Sequence, residues 1–343
     1  MDFMVAGLIV ILLLVLFLPF TVKKVEHNLE IFLFVMGVAA VLVSGVFSTE
    51  LLIHALEDPI MITIAVLVAG LLFKWLAGPL EKGVMALTRV MPVRLFLALV
   101  VIVLGFLSSV ITAMIAALVL VEIVSVLRLD RRSELTAVVL ACFSIGLGAV
   151  LTPIGEPLST IAVSKMNGDF FYLLRLMGEY IVPSVLLFGL LTFALVKPRP
   201  KGDGLKADRV TETYREIVLR AAKVYLFVMA LVFLGSGFEP LINMYIIDLH
   251  PYLLYWINIV SAILDNATLA AAELSPLMGV ATVKAVLLGL LISGGILIPG
   301  NIPNIISAAK LKITSREWAS LGVPIGLALM IVYFVVIMLT LSI

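Results

Sequence analysis

Long apolar runs separated by short polar punctuation make up nearly the whole chain. The runs fall at about 4–20, 30–47, 60–77, 93–127, 135–151, 179–196, 217–234, 251–280, 282–298 and 318–342. A hydrocarbon core of about 30 Å takes roughly 20 helical residues, so most of these runs have spanning length. None alternates apolar and polar positions as the strands of a membrane barrel do. The pattern predicts an all-α polytopic membrane protein.

Four stretches break the simple pattern. Val93 to Leu127 is apolar apart from Arg94 and Glu122. One straight helix of that length would reach about 52 Å, so it must fold back on itself. The polar cluster Ser108-Ser109-Val110-Ile111-Thr112 near its middle marks the turn, which predicts a re-entrant hairpin over 93–127; two marginal full spans are the other solution. The helix predicted over 135–166 is interrupted by Thr152-Pro153-Ile154-Gly155-Glu156-Pro157. Two prolines and a glycine there break the helix and free backbone groups, which is tolerated at membrane depth only along a cavity or ion path. A second hairpin is predicted over 251–280 with Asp265-Asn266-Ala267-Thr268 at its tip, and a second broken helix over 282–310 with Pro299-Gly300-Asn301-Ile302-Pro303-Asn304 at its break.

The order span, amphipathic connector, hairpin, broken helix, span therefore occurs twice. Connectors are expected at 78–92 and 237–250. Thr112 aligns with Thr268, Gly155 with Gly300 and Glu156 with Asn301. Each unit crosses three times, so the copies must be inverted, a plan shared by many secondary transporters. The expected organisation is two lead-in helices in 1–58, a first inverted repeat in 59–197, a linker in 198–215 and a second repeat in 216–343, with about eight full crossings. The N-terminal run lacks a basic flank and a small-residue cleavage site, so it reads as a retained span rather than a signal peptide.

Charge tests the topology independently. With eight crossings and both termini outside, all 23 Lys and Arg except Lys165, Arg175 and Lys284 lie in cytoplasmic segments, as the positive-inside rule requires of a plasma-membrane protein. The linker 198–215 is then cytoplasmic, the first hairpin opens to the cytoplasm and the second to the outside. Composition narrows the classes further. The chain is 63% hydrophobic and 13% charged with net charge +1, against about half apolar and a quarter charged in soluble domains. Nothing invites nucleic acid; the expected partners are membrane lipid and small inorganic ions. One cysteine, Cys142, leaves no internal disulfide or thiolate cluster. His27, His54 and His250 are scattered, and no nucleophile–base pair appears, so no enzyme and no cofactor is expected.

These residues resemble the ion transporter superfamily, which includes NhaD-type sodium/proton antiporters, arsenite-efflux permeases and divalent anion/sodium symporters. Asp265-Asn266-Ala267-Thr268 resembles the Asp-Asn-x-Thr motif of the antiporter hairpins. Gly155-Glu156-Pro157 and Gly300-Asn301-Ile302-Pro303-Asn304 resemble the glycine-rich segment of their broken helices. The segment VEHNLEIFLFVMG and the overall length look like a compact branch of uncharacterised cation transporters. The likeness covers about residues 30–342. The first hairpin departs from it, with Ser108-Ser109-Val110-Ile111-Thr112 where the antiporters carry a second Asp-Asn pair. The resemblance implies elevator-type alternating access in a homodimer.

The chemistry of the polar cluster points to a hard cation. A carboxylate at a helix break in the membrane is costly unless paired, protonated or bound to a cation. Asp265, Asn266 and Glu156 are the expected sodium ligands, since sodium prefers oxygen donors. Thr268, Asn301, Asn304, Thr112, Ser108, Ser109 and Thr152 are supporting candidates. Gly155 and Gly300 are expected to permit sharp turns. Structural alternatives stand beside these readings: Asp265 and Glu156 could each cap a half-helix. Glu273 and Glu122, on hairpin arms, are proton-relay candidates. Sodium/proton antiport is the leading reading, and sodium-coupled symport of a small carboxylate or inorganic oxyanion is the alternative. Half-helix N-termini favour anions, but no mid-membrane Arg, Lys or His was apparent to receive one.

Overall fold

The computed structural model describes residues 3–26, 28–127, 129–197, 213–245, 249–262 and 266–340. Among them all regular structure is helical. The chain runs through α1 (Phe3–Thr21), the single turn α2 (Lys23–Glu26), α3 (Leu29–Ser44), α4 (Thr49–Val90), α5 (Val93–Ile111), α6 (Ala113–Leu127), α7 (Arg131–Ala149), α8 (Pro157–Lys165) and α9 (Tyr172–Leu195). It continues through α10 (Tyr214–Tyr245), α11 (Pro251–Ile257), a 3-10 turn (Asn258–Ala262), α12 (Asn266–Glu273), α13 (Val280–Gly294), α14 (Ile302–Leu311) and α15 (Ser315–Thr340). Five described helices, α5, α7, α9, α10 and α15, are long and apolar enough to cross a membrane. This is an all-helical, multi-pass membrane protein. Its outer faces carry exposed Leu42, Leu190, Val332 and Leu339, side chains that lipid accommodates and water does not.

Helix starts follow capping chemistry that the sequence carries openly. Thr213 and Glu216 bond reciprocally at the start of α10, and Thr314 and Glu317 do the same at α15, each satisfying two backbone donors that a helix start leaves open. Asp130 accepts from Ser133 N at the start of α7.

Two expected segmentations give way to longer helices. The acidic stretch 48–59, the span 60–77 and the connector 78–92 merge, but for Ser48, Met91 and Pro92, into one continuous helix, α4, of 42 residues. Ser48 caps it through Leu51 N, and Pro59 and Pro79 lie inside it. Such a helix is about 63 Å long, twice the hydrocarbon thickness. Likewise the span 217–234 merges with most of the connector 237–250 in α10, which contains Pro240. Proline lies inside these helices and not at their boundaries, because neighbouring groups can satisfy the carbonyl it frees.

Packing divides the helices into two groups. In one, α10 lies along α3 and α4, and α1 lies on α3. The other holds the two hairpins and two broken helices around α7 and α13, which are buried almost throughout. In the first half α5 packs along α7, with Ser144 Oγ of α7 donating to Val101 O at 2.9 Å. In the second half α11 and the 3-10 turn pack along α13, with Ser293 Oγ donating to Asn258 O at 2.6 Å. The halves then exchange partners: α6 packs on α14, and α12 packs on α8. Gly148 lets α7 approach α5 so closely that a Cβ would collide with the Gly105 carbonyl, the close packing expected of small residues at membrane helix interfaces.

Candidate functional site

The turn of the first hairpin is pinned to the break in the following helix. There, Thr112 separates α5 from α6 with φ 78° and ψ 147°, a region that strongly favours glycine. The expected turn at 108–112 is thus placed at its last residue. Ala113 N donates to Gly155 O at 2.8 Å, and Thr152 Oγ1 donates to Ser109 O. Ile115 N reaches Thr112 Oγ1 at 3.4 Å. Ser108 Oγ donates to Gly105 O at 2.7 Å and to Ile145 O at 3.0 Å, and Ser109 Oγ donates to Phe106 O at 2.7 Å. These two serines spend their protons on the scaffold.

Glu156 ends the first break as the N-cap of α8, 5% exposed. Its N–H donates to Ser159 Oγ at 3.2 Å, and Ser159 Oγ donates back to Glu156 O at 2.6 Å, a capping-box arrangement. A carboxylate there also complements the positive end of the α8 dipole. The capping role weighed for Glu156 is therefore present in the geometry.

The second break runs through a short 3-10 segment, Ile298–Gly300, into α14, with Asn301 as N-cap. Asn304 Nδ2 donates to Gly294 O and Leu297 O, both at 2.9 Å. It ties the end of α13 to the start of α14 across the break. Its Oδ1 has no protein partner, nor does Oδ1 of Asn301, although both side chains are buried. The Asn301 amide lies against Gly146 of α7, and the Asn266 amide lies against Gly294. Asn266 opens α12, is 3% exposed, and its Nδ2 is also without a partner. Three buried amide side chains thus converge on the second break with unused polar atoms, which carry a real desolvation cost unless something else meets them.

Gly155 and Gly300 do not make their breaks by unusual torsions, since Gly45 is the one described glycine with positive φ. They are required for space: a Cβ at Gly155 would strike the Ala149 carbonyl, and one at Gly300 would strike the carbonyls of Gly294 and Ser261. In both, one obstacle is a carbonyl six residues upstream.

Asp265 lies outside the described residues, as does the side chain of Thr268, whose backbone belongs to α12. Glu122 is half-buried on α6. Glu273 closes α12, 8% exposed with Oε2 unpartnered, and Asn258 in the 3-10 turn is buried and donates to Val286 O at 3.4 Å. Sequence reasoning passed over Asn258; the signal was a single amide inside the apolar stretch YWINIVS. It also underestimated Lys165, treated as simply outside. Lys165 is part-buried and its Nζ donates to Gly235 O of α10 at 2.7 Å, so a cation does lie between the two helix groups. Cys142 is a packing residue, as its isolation suggested: it is fully buried, with Sγ 3.3 Å from Ser307 Oγ.

With fold and break geometry in view, comparison with known proteins adds one match, spanning residues 5–340. The chain belongs to the DUF1646 family, described as a protein of unknown function. No curated protein matches it. The DUF1646 match runs from within α1 to the end of α15. Functional assignment for DUF1646 rests on the site itself.

Proposed function

We propose that this DUF1646 protein is a secondary active ion transporter that exchanges sodium for protons across the plasma membrane. The observation that carries the reading is the pair of buried, unpartnered amide oxygens, Asn301 Oδ1 and Asn304 Oδ1, at a helix break faced by Asn266. Oxygen atoms held ready without a donor suit a hard cation. Asp265, immediately before Asn266 in the chain, would supply the charge, and Glu156 would be its counterpart at the first break.

An inverted repeat is supported by the exchange of partners between halves. Swapping α6 with α12 and α14 with α8 turns the α6–α14 contact into the α12–α8 contact, as a two-fold relation demands. The proposed topology has eight crossings and both termini outside. It is supported by the ion pairs, each of which joins segments on one side. Arg131–Glu317 and Lys223–Glu30 would be cytoplasmic, while Lys284–Glu179 and Arg175–Asp169 would be external. Alternating access would move the hairpin and broken-helix group against α1, α3, α4 and α10, an elevator motion that the superfamily resemblance sets in a homodimer.

Lys165 and the two half-helix N-termini give sodium-coupled anion symport its own observation. Against it, the α8 terminus is already capped by the Glu156 carboxylate, which would repel an anion. The deciding experiment is a proteoliposome assay. Adding sodium should collapse a preset pH gradient with no added anion, and Asp265→Asn should abolish that flux. Wild-type flux in Asp265→Asn refutes the cation site, and a strict requirement for one anion establishes symport instead.

A further inference from the structure

Gly146 lies in α7, in the first half of the chain, yet what it faces belongs to the second half. A Cβ built on Gly146 would collide with Nδ2 of Asn301 and stand 3.5 Å from Asn301 Cγ. Beyond the backbone of α7 itself, no other atom of a described residue lies within 4 Å of that Cβ. Gly148, half a turn on, is different: there a Cβ would meet the backbone of Gly105, so that glycine serves the contact between α5 and α7. Gly146 makes room for one amide rather than for a neighbouring helix. The alignment that pairs Gly155 with Gly300 pairs Gly146 with Leu291 of α13, which is 1% exposed. The buried helix of a hairpin-and-break unit thus accepts a large side chain at this position, and in α7 the Asn301 amide takes the space instead.

Asn301 needs such a support. It is the N-cap of α14, and its backbone carbonyl accepts from Ile305 N at 3.2 Å, but its side chain makes no capping bond. Its Oδ1 is buried and unpartnered. Asn304, one turn further on, is held by its two bonds to Gly294 O and Leu297 O. The two unused oxygens at the break are therefore placed by different means: Asn304 Oδ1 by hydrogen bonds, Asn301 Oδ1 by the seat that Gly146 leaves on α7.

We propose that Gly146 is a positioning residue for the cation site at the second break, where it seats the Asn301 amide and so fixes the place of its oxygen. With the Asn301 backbone fixed at the start of α14, a side chain at position 146 is accommodated by swinging that amide away from α7. Ligand groups have to be held to within about 0.5 Å of their working geometry, so the swing costs affinity. A helix of the first half thereby completes a site whose oxygens come from the second. The role rests on the cation reading above; the contact between Gly146 and Asn301 does not.

Thermal unfolding of the purified full chain in detergent, titrated with sodium chloride against choline chloride at constant ionic strength, tests the proposal. In wild type, sodium should raise the melting temperature in a saturable way. Gly146→Ala should raise the half-saturating sodium concentration about tenfold, a readout that a change in helix packing alone would not move. Asn301→Ala clears the space. On that background Gly146→Ala should fold and cost no stability, alanine being the better helix former, and should weaken the sodium response no further than Asn301→Ala does alone. A wild-type sodium half-saturation in Gly146→Ala overturns the proposal and leaves the cation site standing. A stability loss from Gly146→Ala that is equal with and without the Asn301 side chain also overturns it, because the glycine would then serve helix packing. A wild-type protein without any sodium increment removes the cation reading, and the positioning role falls with it.

Discussion

Asn304→Ala separates structure from ion binding at the second break. The side chain donates two bonds at 2.9 Å, to Gly294 O and Leu297 O. Gly294 closes α13, where the helix has no further backbone donors to offer, whereas Leu297 O also accepts from Gly300 N at 3.4 Å. Asn304 is fully buried, so water cannot replace the lost amide cheaply. The Gly294 carbonyl left unsatisfied costs about 1–3 kcal/mol, while Leu297 O keeps its bond from Gly300 N, so the substitution should cost about 1–3 kcal/mol. The measurement is thermal or denaturant unfolding of the purified protein in detergent, with Ser320→Ala as an exposed control expected within about 0.5 kcal/mol of wild type. A second readout uses the same samples. If Asn304 Oδ1 helps hold sodium, adding sodium should raise wild-type stability, and this increment should shrink in Asn304→Ala, since ligand stabilisation follows the affinity for the folded state. Wild-type stability in Asn304→Ala would refute the claim that this side chain closes the break. A full sodium increment in a destabilised variant would keep the structural role and refute the ligand role.

Two further outcomes follow from the geometry. Gly148→Ala should destabilise by about 3 kcal/mol, at the upper end for overpacking, because the obstacle is the Gly105 backbone rather than a movable side chain; Gly279→Ala, where a Cβ meets nothing within 4 Å, should be near neutral in the same unfolding assay. Arg175 Nη2, from the first turn of α9, holds both oxygens of Asp169 in the preceding loop at 2.7 Å and keeps this exposed carboxyl below its ordinary range. A lowered carboxylate pKa means the pairing is fully present above the ordinary value and is lost as pH falls through the lowered one. Arg175→Gln should move the Asp169 titration, followed by carboxyl-carbon NMR, upward; an unmoved titration would show that the pair does not form in solution.

Hydrophobic patterning was enough to reveal the class and the order of elements, for a physical reason. In lipid the backbone must satisfy itself locally, so helix length, helix interruption and the residues that interrupt it all leave marks on the linear pattern. The interruptions at 152–157 and 299–304 and the turn within 108–112 were legible in that way. Helix continuity was not. The linear pattern divides 60–92 and 217–250 into span and amphipathic connector, and only the surrounding helices decide whether Pro59, Pro79 and Pro240 end a helix or are carried within it. The roles of the glycines also needed the third dimension: Gly155 and Gly300 look like turn residues in one dimension and prove to be contact points for carbonyls six residues away. Above all, the tertiary structure decided which polar residues work for the fold. Ser108, Ser109 and Thr152 donate to backbone carbonyls, Glu156 caps α8, and Asn301, Asn304, Asn258 and Glu273 keep buried atoms unpaired. Residue type and spacing determine that a polar group lies within an apolar stretch; whether its hydrogen bonds are already made depends on which helix packs against it.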